Sequence, residues 1–195
     1  FAIQLCRCVT KRGHEVLPSY YAGFPSPKGH LTRRAKDPQA LTIAPIDIDT
    51  PFQKFNFFER RKQEIAVGKK FGRVIEEFKP DSVAACTVPI DTQTMIMQSA
   101  QRAGSASVFW LQDIISIAMR EILGKKMPGI GHAVAAYYRR REARLFHCSD
   151  AIVAISEDFF TALADMHLDP AVCHVISNWA PLPEMLSKPK DNEWS

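Results

Sequence analysis

Four short apolar runs constrain this chain more than anything else in it. Residues 82–88 (Ser-Val-Ala-Ala-Cys-Thr-Val) and 106–111 (Ala-Ser-Val-Phe-Trp-Leu) are almost free of strongly polar side chains. Residues 151–155 (Ala-Ile-Val-Ala-Ile) and 173–176 follow the same pattern. Such runs mark strands buried on both faces, the condition of a parallel sheet rather than a half-solvated antiparallel one. Between them lie stretches of helical periodicity. Val67, Phe71, Val74, Ile75 and Phe78 fall on one face of a helix predicted over 51–78. A second helix is predicted over 91–103 and stopped by Gly104, and a two-piece helical region runs to Cys148 with breaks at Gly124 and Pro128. A further helix is expected over 157–166. Strands and helices alternating at steps of roughly 25 to 35 residues imply βαβ units. The fold class is therefore α/β: Rossmann-like, with a mostly parallel sheet and helices on both faces. Ligands of such sheets are met beyond the carboxyl ends of the strands.

The N-terminal part is less regular. Residues 1–12 carry an apolar stripe at Ala2, Leu5, Cys6 and Val9, with Lys11, Arg12 and Gly13 suited to a helix end. Residues 15–21 read as a strand in which Pro18 removes a ladder donor. Residues 23–38 form a polar loop long enough to be mobile, and 40–48 a short strand interrupted by Pro45. A doubly wound domain usually opens on a strand, so a first strand is expected upstream of Phe1. Residues 181–195, with three prolines and mixed charge, read as a linker.

Composition excludes several classes. The chain of 195 residues is 46% hydrophobic and 24% charged, which rules out disorder and collagen. No apolar run approaches the roughly 20 residues that cross a bilayer. A net charge of +4 is too diffuse to argue for nucleic acid. The five cysteines form no C-x-x-C pair and read as reduced, mostly buried thiols of a cytoplasmic protein. The six histidines show no metal-ligand spacing, and neither a nucleophile elbow nor a phosphate-binding loop is present.

Four segments, taken in order, resemble family 4 glycosyltransferases, enzymes of the GT-B fold. They are Lys11-Arg12-Gly13-His14-Glu15-Val16, Trp110-Leu111-Gln112-Asp113-Ile114, Ser149-Asp150 through Ser156-Glu157, and His174-Val175-Ile176-Ser177-Asn178-Trp179. The Gln112-Asp113 pair, Asn178-Trp179 and 189–192 are most similar to the bacterial branch that builds O-antigen, capsule or colanic-acid-type glycans. The resemblance implies that residues 1–180 are the N-terminal, acceptor-side Rossmann-like domain of a retaining, metal-independent hexosyltransferase. The linker would lead to a C-terminal domain that holds the nucleotide-sugar. No other cofactor is implied, and this chain alone would transfer nothing. Two other readings share the architecture: a GT-B epimerase of UDP-sugars, and a non-catalytic α/β binding module.

The resemblance places Gln112 and Asp113 at the catalytic cleft, where many family members carry a histidine in place of Gln112. A neutral amide there can only hydrogen-bond. Asp113 either lines that cleft or caps the next helix, and one carboxylate can do both. Ser156 and Glu157 either cap and complement a helix start or also line the cleft, together with Thr87 and Asn178. Arg139, Arg140, Arg141 and Arg144, beside Tyr137 and Tyr138, suit an anionic membrane surface and a polyprenyl-linked acceptor. The alternative for that row is a solvated helix face paired through Glu142. The implied partners are thus a nucleotide-sugar, a glycan or lipid-linked acceptor, and the inner face of a membrane, with no nucleic acid.

Overall fold

The computed structural model describes residues 2–25, 31–86 and 88–179. It is an α/β, Rossmann-like chain whose parallel sheet is flanked by helices. The described residues divide into two compact units: 2–19, 31–44 and 178–179 in the first, and 20–25, 45–86 and 88–177 in the second.

In the first unit, helix α1 spans Ala2–Lys11. The expected apolar stripe is only half-buried or exposed; the buried side chains are Arg7 and Thr10. Arg7 reaches Asp37 through Nε and Nη2 at 2.8 and 3.0 Å, and Asp37 also accepts the Arg34 amide at 2.8 Å. A fork-to-carboxylate pair fixes orientation as well as charge. The described end of the supposedly mobile loop is therefore tied down by an ion pair that is itself buried. Val16 bridges Leu41 in parallel fashion. Strands β1 (Ser19–Tyr21) and β2 (Ala44–Ile46) form a two-stranded sheet, most of whose residues are counted in the second unit. Both are shorter than predicted. Pro18 precedes β1 and takes part only as an acceptor, from Ala44 N at 3.0 Å, because it has no N–H to give.

The second unit holds the main sheet. Helix α2 (Phe57–Phe78) begins six residues later than predicted, because Asn56 caps it: its Oδ1 accepts from Glu59 N at 3.2 Å. It ends at Lys79, which takes a left-handed φ of 49° before Pro80. Strand β3 (Ser82–Cys86), helix α3 (Ile90–Ala103) and strand β4 (Ala106–Leu111) follow. Gly104 stops α3 at φ 72°, as its sequence position suggests. Helix α4 (Ile115–Lys126) runs through Gly124 rather than breaking there. The break falls at residues 127–129, with Gly129 at φ 83°, before α5 (Ile130–His147). Strand β5 (Ala151–Ala154) leads to α6 (Asp158–Ala162), 3-10 turns at Ala164–Met166 and Pro170–Val172, and β6 (Cys173–Val175). The predicted helix over 157–166 is thus cut in two.

The sheet order is β3-β4-β5-β6 and every pairing is parallel. Register places Ala85 beside Phe109, Phe109 beside Ile152, and Ile152 beside Cys173. Phe109, Leu111, Ile152 and Ala154 pack with Phe146, Leu145 and Tyr138 of α5 and with Leu163 and Met166. Ala85 packs with Val67, Phe71 and Ile75 of α2 and Ile96 of α3. The cysteines are not the buried set expected: Cys8 and Cys148 are exposed and the other three half-buried.

Candidate functional site

Because the four strands run in parallel, their carboxyl ends meet at one edge. Cys86, Trp110, Val153 and His174 form one tier across the sheet, and Leu111, Ala154 and Val175 the next. The chain leaves this edge at residues 112–113, 155–157 and 176–177. Of the residues proposed from sequence, the structure brings Gln112, Asp113, Ser156 and Glu157 to this edge. Thr87 lies outside the described residues. Asn178 is exposed and belongs to the first unit.

The side-chain caps weighed for this edge are not formed, although Glu157 does stand at the start of α6, where an acid complements the helix end. Helix α4 starts after Ile114, with no side-chain cap from Asp113, which is exposed. Its free amides are taken instead by Glu142 of α5. This side chain is 0% exposed and accepts from Ile115 N at 2.9 Å, from Ser116 N, and from the Ser116 hydroxyl. Burial pushes the Glu142 carboxyl above its ordinary pKa, against the pull of these donors. Glu142 therefore does not pair a solvated arginine face. At α6 the cap position is Glu157, already helical at φ −59°, and neither Ser156 nor Glu157 makes a side-chain cap. Both are left to face what lies beyond the strand ends. Glu157 lines an open groove of about 340 Å³ with Phe160, Leu163, His167, Cys173 and Val175.

The arginine row also divides. Arg141 donates to Asp91 at 2.8 Å and to Thr94 at 2.8 Å and stacks on Tyr137 at 5.7 Å, while Arg139 pairs with Asp165. Only Arg140 and Arg144 are exposed. The expected four-cation face reduces to two.

Sequence reading missed a buried carboxylate of the second unit that gathers two guanidiniums and a phenol. Asp91, in the first turn of α3 and 2% exposed, accepts from Tyr138 Oη at 2.7 Å, Arg61 Nε at 3.1 Å and Arg141 Nη1 at 2.8 Å. It joins α2, α3 and α5 behind the strand ends. Burial, and then the carboxylate, push the Tyr138 phenol far above its ordinary pKa, while the same carboxylate raises that of Arg61. Two positions further, Gln93 is 1% exposed and its Nε2 has no hydrogen-bond partner among the described residues. An Asp in a first helical turn is an ordinary sight, and its three donors lie 30 to 50 residues away, so nothing local in the sequence announced this cluster.

The Ser149-Asp150 pair of the third resembling segment has a structural task. Asp150 accepts from Ser107 N at 2.7 Å and from its hydroxyl at 2.9 Å, tying the start of β4 to the entry of β5. Those two bonds hold the Asp150 carboxyl below the usual range.

The edge brings together an amide, two carboxylates and a hydroxyl, groups that accept or donate hydrogen bonds. Among the described residues no group of three metal-ligating side chains occurs, and no helix is long and apolar enough to cross a membrane. Comparison with protein-family models and with curated proteins finds no match to this chain.

Proposed function

We propose that this chain is the acceptor-side domain of a GT-B glycosyltransferase, one that passes a sugar from a nucleotide donor to a bacterial surface glycan or its lipid-linked precursor. The observation that carries the reading is the parallel β3-β4-β5-β6 edge, with Gln112, Asp113, Ser156 and Glu157 at consecutive strand ends. The ordered set of resembling segments supports it. In this reading the edge holds the acceptor glycan by hydrogen bonds to its hydroxyls. A second domain brings the nucleotide-sugar, and the rate comes from alignment and from electrostatic stabilisation of the departing diphosphate. Gln112 orients and does not exchange protons, since an amide neither gains nor loses one at ordinary pH.

The test is an amide-shift titration of the chain with a soluble, diphosphate-linked oligosaccharide. The reading expects shifts concentrated at 111–114 and 155–157, reduced by Asp113→Ala. Shifts confined elsewhere, or a response to the nucleotide-sugar alone, would oppose it; the second outcome favours an epimerase-like or binding role.

A further inference from the structure

Two of the segments that leave the sheet edge are held from the same side. Leu111 and Ala154 are register partners, so the chain exits β4 and β5 from neighbouring strands about 4.8 Å apart. Neither exit is held by its own helix start, since α4 and α6 lack side-chain caps. What reaches them comes from α5. Tyr138, Leu145 and Phe146 bury α5 against Phe109 and Ile152 of the two strands, which fixes the helix relative to the sheet. Arg139 and Glu142 stand three positions apart on it, and that spacing puts them on one face.

Glu142 serves the exit of β4. It accepts from Ile115 N at 2.9 Å and from Ser116 N at 3.4 Å, and the Ser116 hydroxyl donates to it as well. These donors begin two residues after Asp113, so they hold the backbone that carries Gln112 and Asp113 out of the sheet. Arg139 serves both exits. Its Nη1 donates to Ser116 Oγ at 3.4 Å, while Nη2 donates to Asp165 in the 3-10 turn after α6. Asp165 follows Ala164, which lines the Glu157 groove together with His167. A chain of bonds thus runs Glu142–Ser116–Arg139–Asp165, from one exit to the other. A planar guanidinium bridges two acceptors at fixed angles, which the point charge of a lysine does not. The Asp165 side chain is 69% exposed, so its ion pair adds little stability and its effect is one of placement.

We propose that Arg139 and Glu142 are positioning residues that lock the exits of β4 and β5 together, giving the Gln112–Asp113 corner and the Glu157 groove a fixed spacing. Where this bears on a ligand, it rests on the reading of the edge as an acceptor site. The lock itself is a property of the free chain. It gives Arg139 a task inside the fold in place of the membrane face expected from sequence.

Amide spectra of the 195-residue chain test it. Asp165→Asn removes an exposed charge and should leave the thermal unfolding midpoint where it is. It should nonetheless displace the amide signals of 112–116, at the far end of the relay. In an Arg139→Gln chain the same change should leave 112–116 still. Arg139→Lys, which does not bridge, serves in place of Arg139→Gln if that variant does not fold. Glu142→Gln keeps the shape but sets an N–H donor against the α4 amides, and it should displace 112–114. A titration with a soluble, diphosphate-linked oligosaccharide adds the ligand: Asp165→Asn should weaken its binding by about threefold or more. The inference is overturned if 112–116 ignore Asp165→Asn, if they respond equally without Arg139, or if 112–114 ignore Glu142→Gln. Unchanged oligosaccharide affinity in Asp165→Asn also overturns it. A parent chain that ignores the oligosaccharide removes the acceptor reading instead, and the free-chain spectra still decide the lock.

Discussion

At the scale of single residues, the buried carboxylates divide by what surrounds them. Asp91 has two guanidiniums and a phenol, so its charge is fully compensated. Asp91→Asn strands two half-buried cations, and we expect a loss of about 3–5 kcal/mol in denaturant unfolding. Tyr138→Phe removes one donor and should cost about 1–2 kcal/mol. Asp37 and Asp150 have pKa values held low, the first mainly by the Arg7 hydrogen bond, the second by Ser107. Each thus stabilises the fold above the ordinary carboxylate value of about 4 and loses that contribution as pH falls through its lower folded value. Glu142, raised by burial, acts in the opposite sense: it favours the fold at low pH and opposes it as pH climbs past the ordinary glutamate value. Urea unfolding at pH 6 and pH 3 should therefore show a smaller drop for Asp150→Asn than for the parent, measured from its own, lower, pH 6 value. These partnerships were not legible in the sequence because, apart from the Arg34 amide on Asp37, the donors are 26 to 50 residues from their acceptors. Proximity of that kind exists only after folding. What the sequence did show, to within two residues, is where the strands would end, because an apolar run must stop where burial stops, and Gln112, Asp113, Ser156 and Glu157 sit just past those stops.

At the scale of elements, the stops of α2 and α3 were legible, whereas the start of α2 and the expected break at Gly124 were not. Gly104 and Lys79-Pro80 ended helices where expected because a left-handed residue or a proline ends a helix by local sterics alone. The start of α2 was set by Asn56, whose side chain caps it; Pro51 suits a first helical position but has no acceptor with which to cap one. Capping across elements defeated the expectation for α4: its amides are served by Glu142 from α5, which released Asp113. Helices α2 and α3 approach closely at two glycines. A Cβ on Gly68 would lie 2.8 Å from Met95 Cβ, and one on Gly72 2.5 Å from Ser99 Oγ. Alanine is the better helix former by about 1 kcal/mol, so at an open site Gly→Ala would stabilise. Here Gly68→Ala should lower stability by about 1–3 kcal/mol, as overpacking outweighs propensity. Gly72→Ala should cost less, because the Ser99 hydroxyl can turn aside. Thermal unfolding of the two variants checks the order.

For the molecule as a whole, the decisive feature is the sequential parallel order of β3 to β6, which the alternating apolar and amphipathic pattern made legible. The N-terminal unit was less so, since its anchor is the polar Arg7–Asp37 pair and not the half-buried stripe of α1. The most direct measurement is sugar transfer from a nucleotide-sugar to a lipid-linked acceptor. It should be made with this chain alone and with a gene product extended by about 180 residues, the size of one further domain. The account predicts turnover by the extended protein, a fall of at least about tenfold with Asp113→Ala, and none by the chain alone. Turnover by the chain alone, or full activity of Asp113→Ala together with Gln112→Ala in the extended protein, would contradict it.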